Sequence, residues 1–564
     1  MRFPLLLLLL WRTLSLDAQS FVDITVNAGL NQAKGRCYGL AWGDYDADGD
    51  PDLYVSRHGG PNLLYQNQGE LRFKEVADKV GLAFTGKTTT AVWGDLDNDG
   101  DLDLYLGNEG AANRLFENVE GKFQDITTSA KVGDSGQSRA VLLADVDQDG
   151  LLDIYVANLL GPNRLYRNLG NLRFQDITDA SGTQDTQLNL GAIFLDYDRD
   201  GDQDLYLTHD NKQPNILLQN DGSGQFTDVS AVSGSNYAGY GMGVDAGDVN
   251  NDGWLDLYIT NLSDNILLLN QQDGTFQNIT GLAKISDRGM GWGTSFLDFD
   301  NDGWLDIYAV NDSDFSPFPN VLYRNLGNLA FDKVALNEPI SSLGAGYATA
   351  KADIDGDGLL DLALANTSEE GVQLFHNQNS DPQNWLSVKL IGSRSNRDAI
   401  GASLSLRSSD GLWTTDLAAG SGYAAQNAQS LHIGLGNRTR IDSLYVRWPE
   451  GTRQAFAAPP LNQEITIIEG LGIQTTSTTL FNLRVSPNPL AEQMEVFFML
   501  PFAERIHLSL LDSQGRIVRQ IREEEMAAGL HRIGWELRGD LSPGLYIVRL
   551  QAKDQVEAIK LMHR

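Results

Sequence analysis

The residues best placed to do chemistry are aspartates. From Gly43 to Val55 the chain reads GDYDADGDPDLYV, with Asp44, Asp46, Asp48 and Asp52 at positions 1, 3, 5 and 9 of one short loop. At about 4 Å and an effective dielectric near ~20, one like-charge pair costs roughly 4 kcal/mol, so the cluster needs a counter-ion. The phrase returns as GDLDNDGDLDLYL from Gly94, ADVDQDGLLDIYV from Ala144 and LDYDRDGDQDLYL from Leu195. It returns again as GDVNNDGWLDLYI from Gly247, LDFDNDGWLDIYA from Leu297 and ADIDGDGLLDLAL from Ala352. Successive first aspartates are 51, 50, 51, 52, 50 and 55 residues apart.

Oxygen ligands at alternate positions around a glycine turn (Gly49 in the first loop) suit Ca²⁺, which takes six to eight oxygens. Position 7 varies, so only its backbone carbonyl is expected to bind. The expected ligand sets are Asp44, Asp46, Asp48, Asp50 and Asp52, then Asp95, Asp97, Asp99, Asp101 and Asp103. Asp145, Asp147, Asp149, Leu151 and Asp153 form the third, and Asp196, Asp198, Asp200, Asp202 and Asp204 the fourth. The fifth is Asp248, Asn250, Asp252, Trp254 and Asp256, and the sixth Asp298, Asp300, Asp302, Trp304 and Asp306. Asp353, Asp355, Asp357, Leu359 and Asp361 complete about seven sites. Asn250 keeps an oxygen but removes one charge. An EF-hand is excluded, because position 12 is Val55 rather than Glu and the flanks read as strands. A single such loop could be a solvated acidic turn; seven in register favour metal.

Each loop must be held by the elements around it. A small-residue strand precedes the loop and LDLYV follows it. Downstream phrases such as PNLLYQNQGELRFKEVA from Pro61 supply two more strands split by an Asn/Gly turn. Four strands per fifty-residue unit, seven times, predict an all-β, seven-bladed propeller over residues 19–378. The seventh unit lacks a fourth strand after VQLFHNQN, while FVDIT from Phe21 precedes any blade of its own. The N-terminal strand is therefore expected to close the ring; an extended solenoid is the alternative it argues against.

The D-x-D-x-D-G-x-x-D loops within fifty-residue units resemble the FG-GAP (VCBS-type) repeats of integrin α-subunit propellers, from residue 21 to about 378. That resemblance implies calcium in the hairpin loops and binding more often than catalysis. Residues 379–470 alternate as a small β-sandwich-like domain. Their NRDAIGA, GSGY, LHIGLG and VRWPEG resemble the ASPIC/UnbV domain of cartilage-acidic-protein-like chains. A Thr/Ser-rich linker, 471–480, precedes residues 481–564, where RVSPNPLAEQMEVFFML and LSPGLYIVRL resemble the C-terminal sorting domain of type IX secretion. This resemblance implies an immunoglobulin-like sandwich recognised by the secretion machinery at the outer membrane. The opening MRFPLLLLLLWRTLSLDAQS reads as a signal peptide ending near residue 18. The expected localisation is secreted or attached to the outer-membrane surface.

The net charge of −33 disfavours nucleic acid, although seven Ca²⁺ would offset 14 of those charges. No later apolar run is long enough to span a membrane. The single cysteine, Cys37, occupies a slot filled elsewhere by Thr88, Ser138 or Gly241 and reads as structural. His209 takes a strand-end slot held by Asn in other units. No nucleophile elbow, His-rich cluster or phosphate loop is present; the FG-GAP resemblance implies a binding or adhesion module, here for an extracellular glycan or protein. An enzyme acting on extracellular polymers and a purely structural surface component are the alternatives. Six residues before each first aspartate, Tyr38, Arg139, Trp292 and Tyr347 are the candidate ligand residues. Packing between blades is their plainer reading.

Overall fold

The structure, a computed structural model, describes residues 20–334, 339–380, 383–470, 473–475, 483–486, 493–500, 504–512, 516–526, 529–536, 541, 544–552 and 555–563. The chain divides into two compact units, Met1–Ile473 and Gln474–Arg564.

In the first unit the repeats fold as expected from their alternation. Cys37–Gly43, Asp52–Pro61, Leu63–Asn67 and Phe73–Glu75 pair antiparallel in that order. The same four-stranded order recurs for the repeats headed by Asp95, Asp145, Asp196, Asp248 and Asp298. In the repeat headed by Asp353, Gly346–Ala352, Asp361–Asn366 and Val372–Asn377 are completed by Phe21–Asp23. Phe21 pairs with Asn377 and Asp23 with Phe375, the register that Phe73 and Glu75 take against Asn67 and Tyr65. The array is a β-propeller closed by its N-terminal strand, which covers an otherwise open edge.

Two recurring side-chain devices make that closure specific. The phrase F-x-D-I-T carries a carboxylate that binds the first residue of a single helical turn. Asp125 Oδ1 accepts from the Thr127 amide and hydroxyl, and Thr127 Oγ1 accepts from the third-strand Leu115 amide at 2.9 Å. Asp23 and Thr25 do the same, Thr25 Oγ1 accepting from the Leu374 amide at 2.8 Å. These turns, such as Thr25–Ala28 and Thr127–Ala130, are four residues long and were not foreseen from periodicity. The second device is the asparagine ending each third strand. Asn118 Nδ2 donates to the Tyr45 carbonyl of the preceding repeat at 2.9 Å. Equivalent bonds run round the ring, including Asn67 to Ile354 at 3.0 Å across the closure.

Residues 384–468 form two facing sheets over a core containing Leu386, Leu404, Trp413, Leu435 and Trp448. One departure from a self-contained module stands out. The stretch Ala419–Ala428 leaves this domain and enters the propeller channel. Ala425–Gln426 pairs parallel with Leu40–Ala41 of the innermost strand. Gln426 accepts from the Trp93 amide at 2.7 Å and donates to its carbonyl at 3.0 Å. Gly422 exchanges both backbone bonds with Val244, and Asn427 Oδ1 accepts from the Lys351 amide. GSGY is therefore the tip of a channel plug.

In the second unit, Arg484–Ser486, Gln493–Leu500 and Gly529–Glu536 form one sheet. Ile517–Met526, Glu504–Asp512, Gly544–Ala552 and Gln555–His563 form another. Met494, Val496, Phe498, Leu508, Val548 and Leu550 belong to their common core. The linker expectation falls on residues that lie largely outside those described, as does the signal peptide. Among the described residues no helix is long and apolar enough to cross a membrane.

Candidate functional site

The acidic loops are built alike. Position 6 is a glycine with φ between 85° and 115°, as in Gly150 and Gly201, a region that side chains disfavour. In six loops its amide donates to Oδ2 of the first aspartate at 2.8–3.1 Å. The position 7 amide donates to Oδ1 of the fifth-position aspartate in all seven. These bonds fold the carboxylates toward one point. One oxygen each from Asp44, Asp46 and Asp48 lies within 4.8 Å of the others, as for Asp95, Asp97 and Asp99. Asp145, Asp147 and Asp153 converge likewise, as do Asp196, Asp198 and Asp204.

The ninth-position aspartates have a further task. Asp52 Oδ1 accepts from the Asn67 amide at 2.7 Å and Oδ2 from the Tyr45 amide at 3.3 Å. The same pair of bonds occurs in every repeat, for instance at Asp306 with Asn325 and Phe299. This aspartate ties the loop to the third strand.

The loops fit a hard divalent cation on two counts. Asp44, Asp46, Asp147, Asp196 and Asp300 each bury an Oδ1 with no hydrogen-bond partner, which is costly for an acceptor turned away from water. The carboxyls also resist ionisation when left to themselves. Burial first, then neighbouring aspartates, push Asp95 up to about 8, and burial pushes Asp103 up to about 9. A divalent ion would reverse this balance by favouring the ionised form.

Sequence reasoning missed the residue before each third-strand asparagine. Gln66 and Gln219 donate to Oδ2 of Asp46 and Asp198, and Arg167 and Arg324 pair with Asp147 and Asp300. His376 Nδ1 lies 3.0 Å from Asp361. In the fifth loop this slot is Leu269, opposite the neutral Asn250. The signal was a long side chain in a fixed slot, as in LLYQN, RLYRN and LFHN. The second domain also reaches the loops: Lys389 pairs with Asp44 at 3.6 Å, Arg397 with Asp95 at 3.9 Å and Arg447 with Asp196. Its Trp413 Nε1 donates to the Gly303 carbonyl at 3.0 Å. The loop face is thus a docking face for that domain.

The four candidate ligand residues meet at the other end of the channel, where the innermost strands begin. Tyr38 and Tyr347 are edge-on with centroids 4.8 Å apart, and Trp292 is 4.5 Å from Tyr347. All of them, with Arg139, are half-buried. Tyr423 of the plug lies beneath, its hydroxyl 3.2 Å from that of Tyr347 and its ring 4.9 Å from Trp292. His58 stacks on Tyr38 at 3.6 Å, and Arg139 pairs with Glu109 at 2.9 Å. Trp292 Nε1 and His58 Nε2 are buried without hydrogen-bond partners. Tyr423 was not foreseen, because nothing in GSGY marks insertion between distant strands. His209 is held by Asp185 at 2.7 Å and the Pro214 carbonyl at 2.6 Å, a structural role. Cys37 is buried, which pushes its thiol up to about 12 and makes it a poor nucleophile.

Fold and loops together define a β-propeller whose hairpin turns carry acidic, metal-compatible clusters. The FG-GAP-like repeat matches residues 44–106, 95–156, 145–207, 196–259, 248–309 and 298–364, and the chain belongs to that family. The ASPIC and UnbV family matches residues 392–474. Mouse cartilage acidic protein 1 is 26% identical over 482 residues, covering 76% of this chain and 73% of that protein. The human protein is 29% identical over 107 residues, a match covering 18% of this chain but only 16% of that protein. Among solved structures, an Agrocybe aegerita lectin that recognises non-reducing terminal N-acetylglucosamine is 17% identical with a TM-score of 0.36, over 61% of this chain and 90% of its own. Saccharomyces cerevisiae Sqt1 is 12% identical with a TM-score of 0.40, over 62% of this chain and 97% of its own.

Proposed function

We propose that the chain is an exported binding module, stabilised by about seven Ca²⁺, whose open channel mouth takes an extracellular glycan or protein segment. The mouth carries this reading. Tyr423 closes the channel there, and Tyr38, Trp292 and Tyr347 form a half-buried aromatic cluster over it. Arg139 and the two unpartnered ring nitrogens offer polar contacts beside the aromatic faces, the usual make-up of a small-ligand site. Calcium would be held by the side-chain oxygens of positions 1, 3, 5 and 9, and when bound would neutralise them. The test is a glycan and protein binding screen of the full chain in calcium. A ligand is expected whose affinity falls at least tenfold in Trp292→Ala; a ligand indifferent to that substitution would place recognition elsewhere.

Export rests on the apolar leader and on the resemblance of residues 481–564 to a type IX sorting domain. A second unit with its own core is what a detachable address requires. In a type IX-competent host, deleting residues 481–564 should strand the propeller in the periplasm. Normal surface display of the truncated chain would make the tail a binding domain instead.

A further inference from the structure

We infer a second ligand site, for a short anionic glycan, in the cleft where the outer sheet face of the second domain meets the loop of the fourth repeat. The cleft encloses about 370 Å³, and four arginines line it: Arg199 from the propeller loop, and Arg407, Arg447 and Arg453 from the sheet. In a chain with 75 acidic and 42 basic residues, a cleft whose charged lining is wholly basic is against the run of the composition.

The register sharpens the point. Arg447 and Arg453 sit directly opposite each other on antiparallel strands, an arrangement in which like charges destabilise the pair. Arg447 answers this by pairing with Asp196. Among the described residues, none of the other three guanidinium groups holds a carboxylate. Arg407 and Arg453 are exposed and Arg199 is half-buried, so all three are open to a ligand. Arg447 also helps dock the domain, but Arg407 and Arg453 belong neither to the domain core nor to the channel plug.

Tyr445 selects the class of anion. It is 41% exposed, unusual for a large aromatic residue, and Arg407 lies over its ring at 5.5 Å. A guanidinium fork binds sulfate or carboxylate through two parallel hydrogen bonds, and an exposed aromatic face packs the apolar face of a sugar ring. Ser405 adds a part-buried hydroxyl, shared with Thr414 at 3.1 Å. A sulfated saccharide engages both the guanidinium groups and the aromatic ring; a bare inorganic ion engages the guanidinium groups alone. The strongly negative surroundings repel a long polyanion, so the cleft suits a short segment.

The inference does not rest on the channel mouth. Its test is calorimetry of the full chain in calcium with a heparin-derived hexasaccharide, its desulfated counterpart and inorganic sulfate, at low and moderate salt. The sulfated sugar should bind, more weakly as salt rises. The Arg407→Gln/Arg453→Gln double variant should lose at least tenfold in affinity with an unchanged melting curve, since both residues are exposed. Trp292→Ala should leave this binding intact. Absence of binding, equal binding of the desulfated sugar, equal binding of inorganic sulfate, or indifference to the double variant would each overturn it.

Discussion

At the scale of single residues, the loops turn on what their carboxylates do without metal. Burial, the leading cause, pushes Asp145 and Asp248 up to about 7 and Asp52 up to about 9, against roughly 3.9 for an exposed aspartate. An acid raised in the fold binds more protons folded than unfolded. Its stabilising contribution is complete below about pH 4 and is lost as pH climbs through 7 to 9. The metal-free protein should therefore melt lower at pH 8.5 than at pH 6, and saturating calcium should widen its advantage toward the alkaline end. Melting curves across that window in chelator test this; a metal-free curve that stays level or rises with pH would contradict it. The converging carboxylates were legible in the sequence because spacing alone sets positions 1, 3 and 5. The ninth aspartate's second task was not, since its partners, such as Asn67 and Asn377, are reached only after the hairpin turns back.

At the scale of elements, alternation and turn residues revealed the four strands and the spare N-terminal strand, because those signals are local. The single helical turns escaped, being too short to show a helical period. The plug escaped for another reason: nothing local to Gly420, Ser421, Gly422 and Tyr423 signals insertion, and only long-range pairing shows where they go. Gln426 gives the plug a measurable hold. It is fully buried and meets both backbone groups of Trp93, so Gln426→Ala leaves a buried donor and acceptor unpaired, each worth about 1–3 kcal/mol. Lower thermal stability and faster proteolytic release of the second domain are expected. Wild-type behaviour in both assays would mean that the plug does not hold the domains together.

At the scale of the whole molecule, ring closure and the acidic loops are linked. Each loop joins the first strand to the second, its ninth aspartate grips the third, and the asparagine beside it bonds to the preceding repeat. An ion that orders one loop therefore supports its neighbour, and the second domain anchors basic side chains on the same face. We propose that calcium in these loops holds the propeller together. A ligand that binds only the folded state stabilises it by mass action. Sites with Kd of about 10⁻⁴ M would each contribute about 1.4 kcal/mol in about 1 mM calcium. The most direct measurement is the melting temperature of the full chain in calcium and in excess chelator, with bound metal counted by elemental analysis. About seven calcium ions per chain, and a fall of roughly 10 °C or more on their removal, are expected. An unchanged melting curve after verified metal removal would contradict the account.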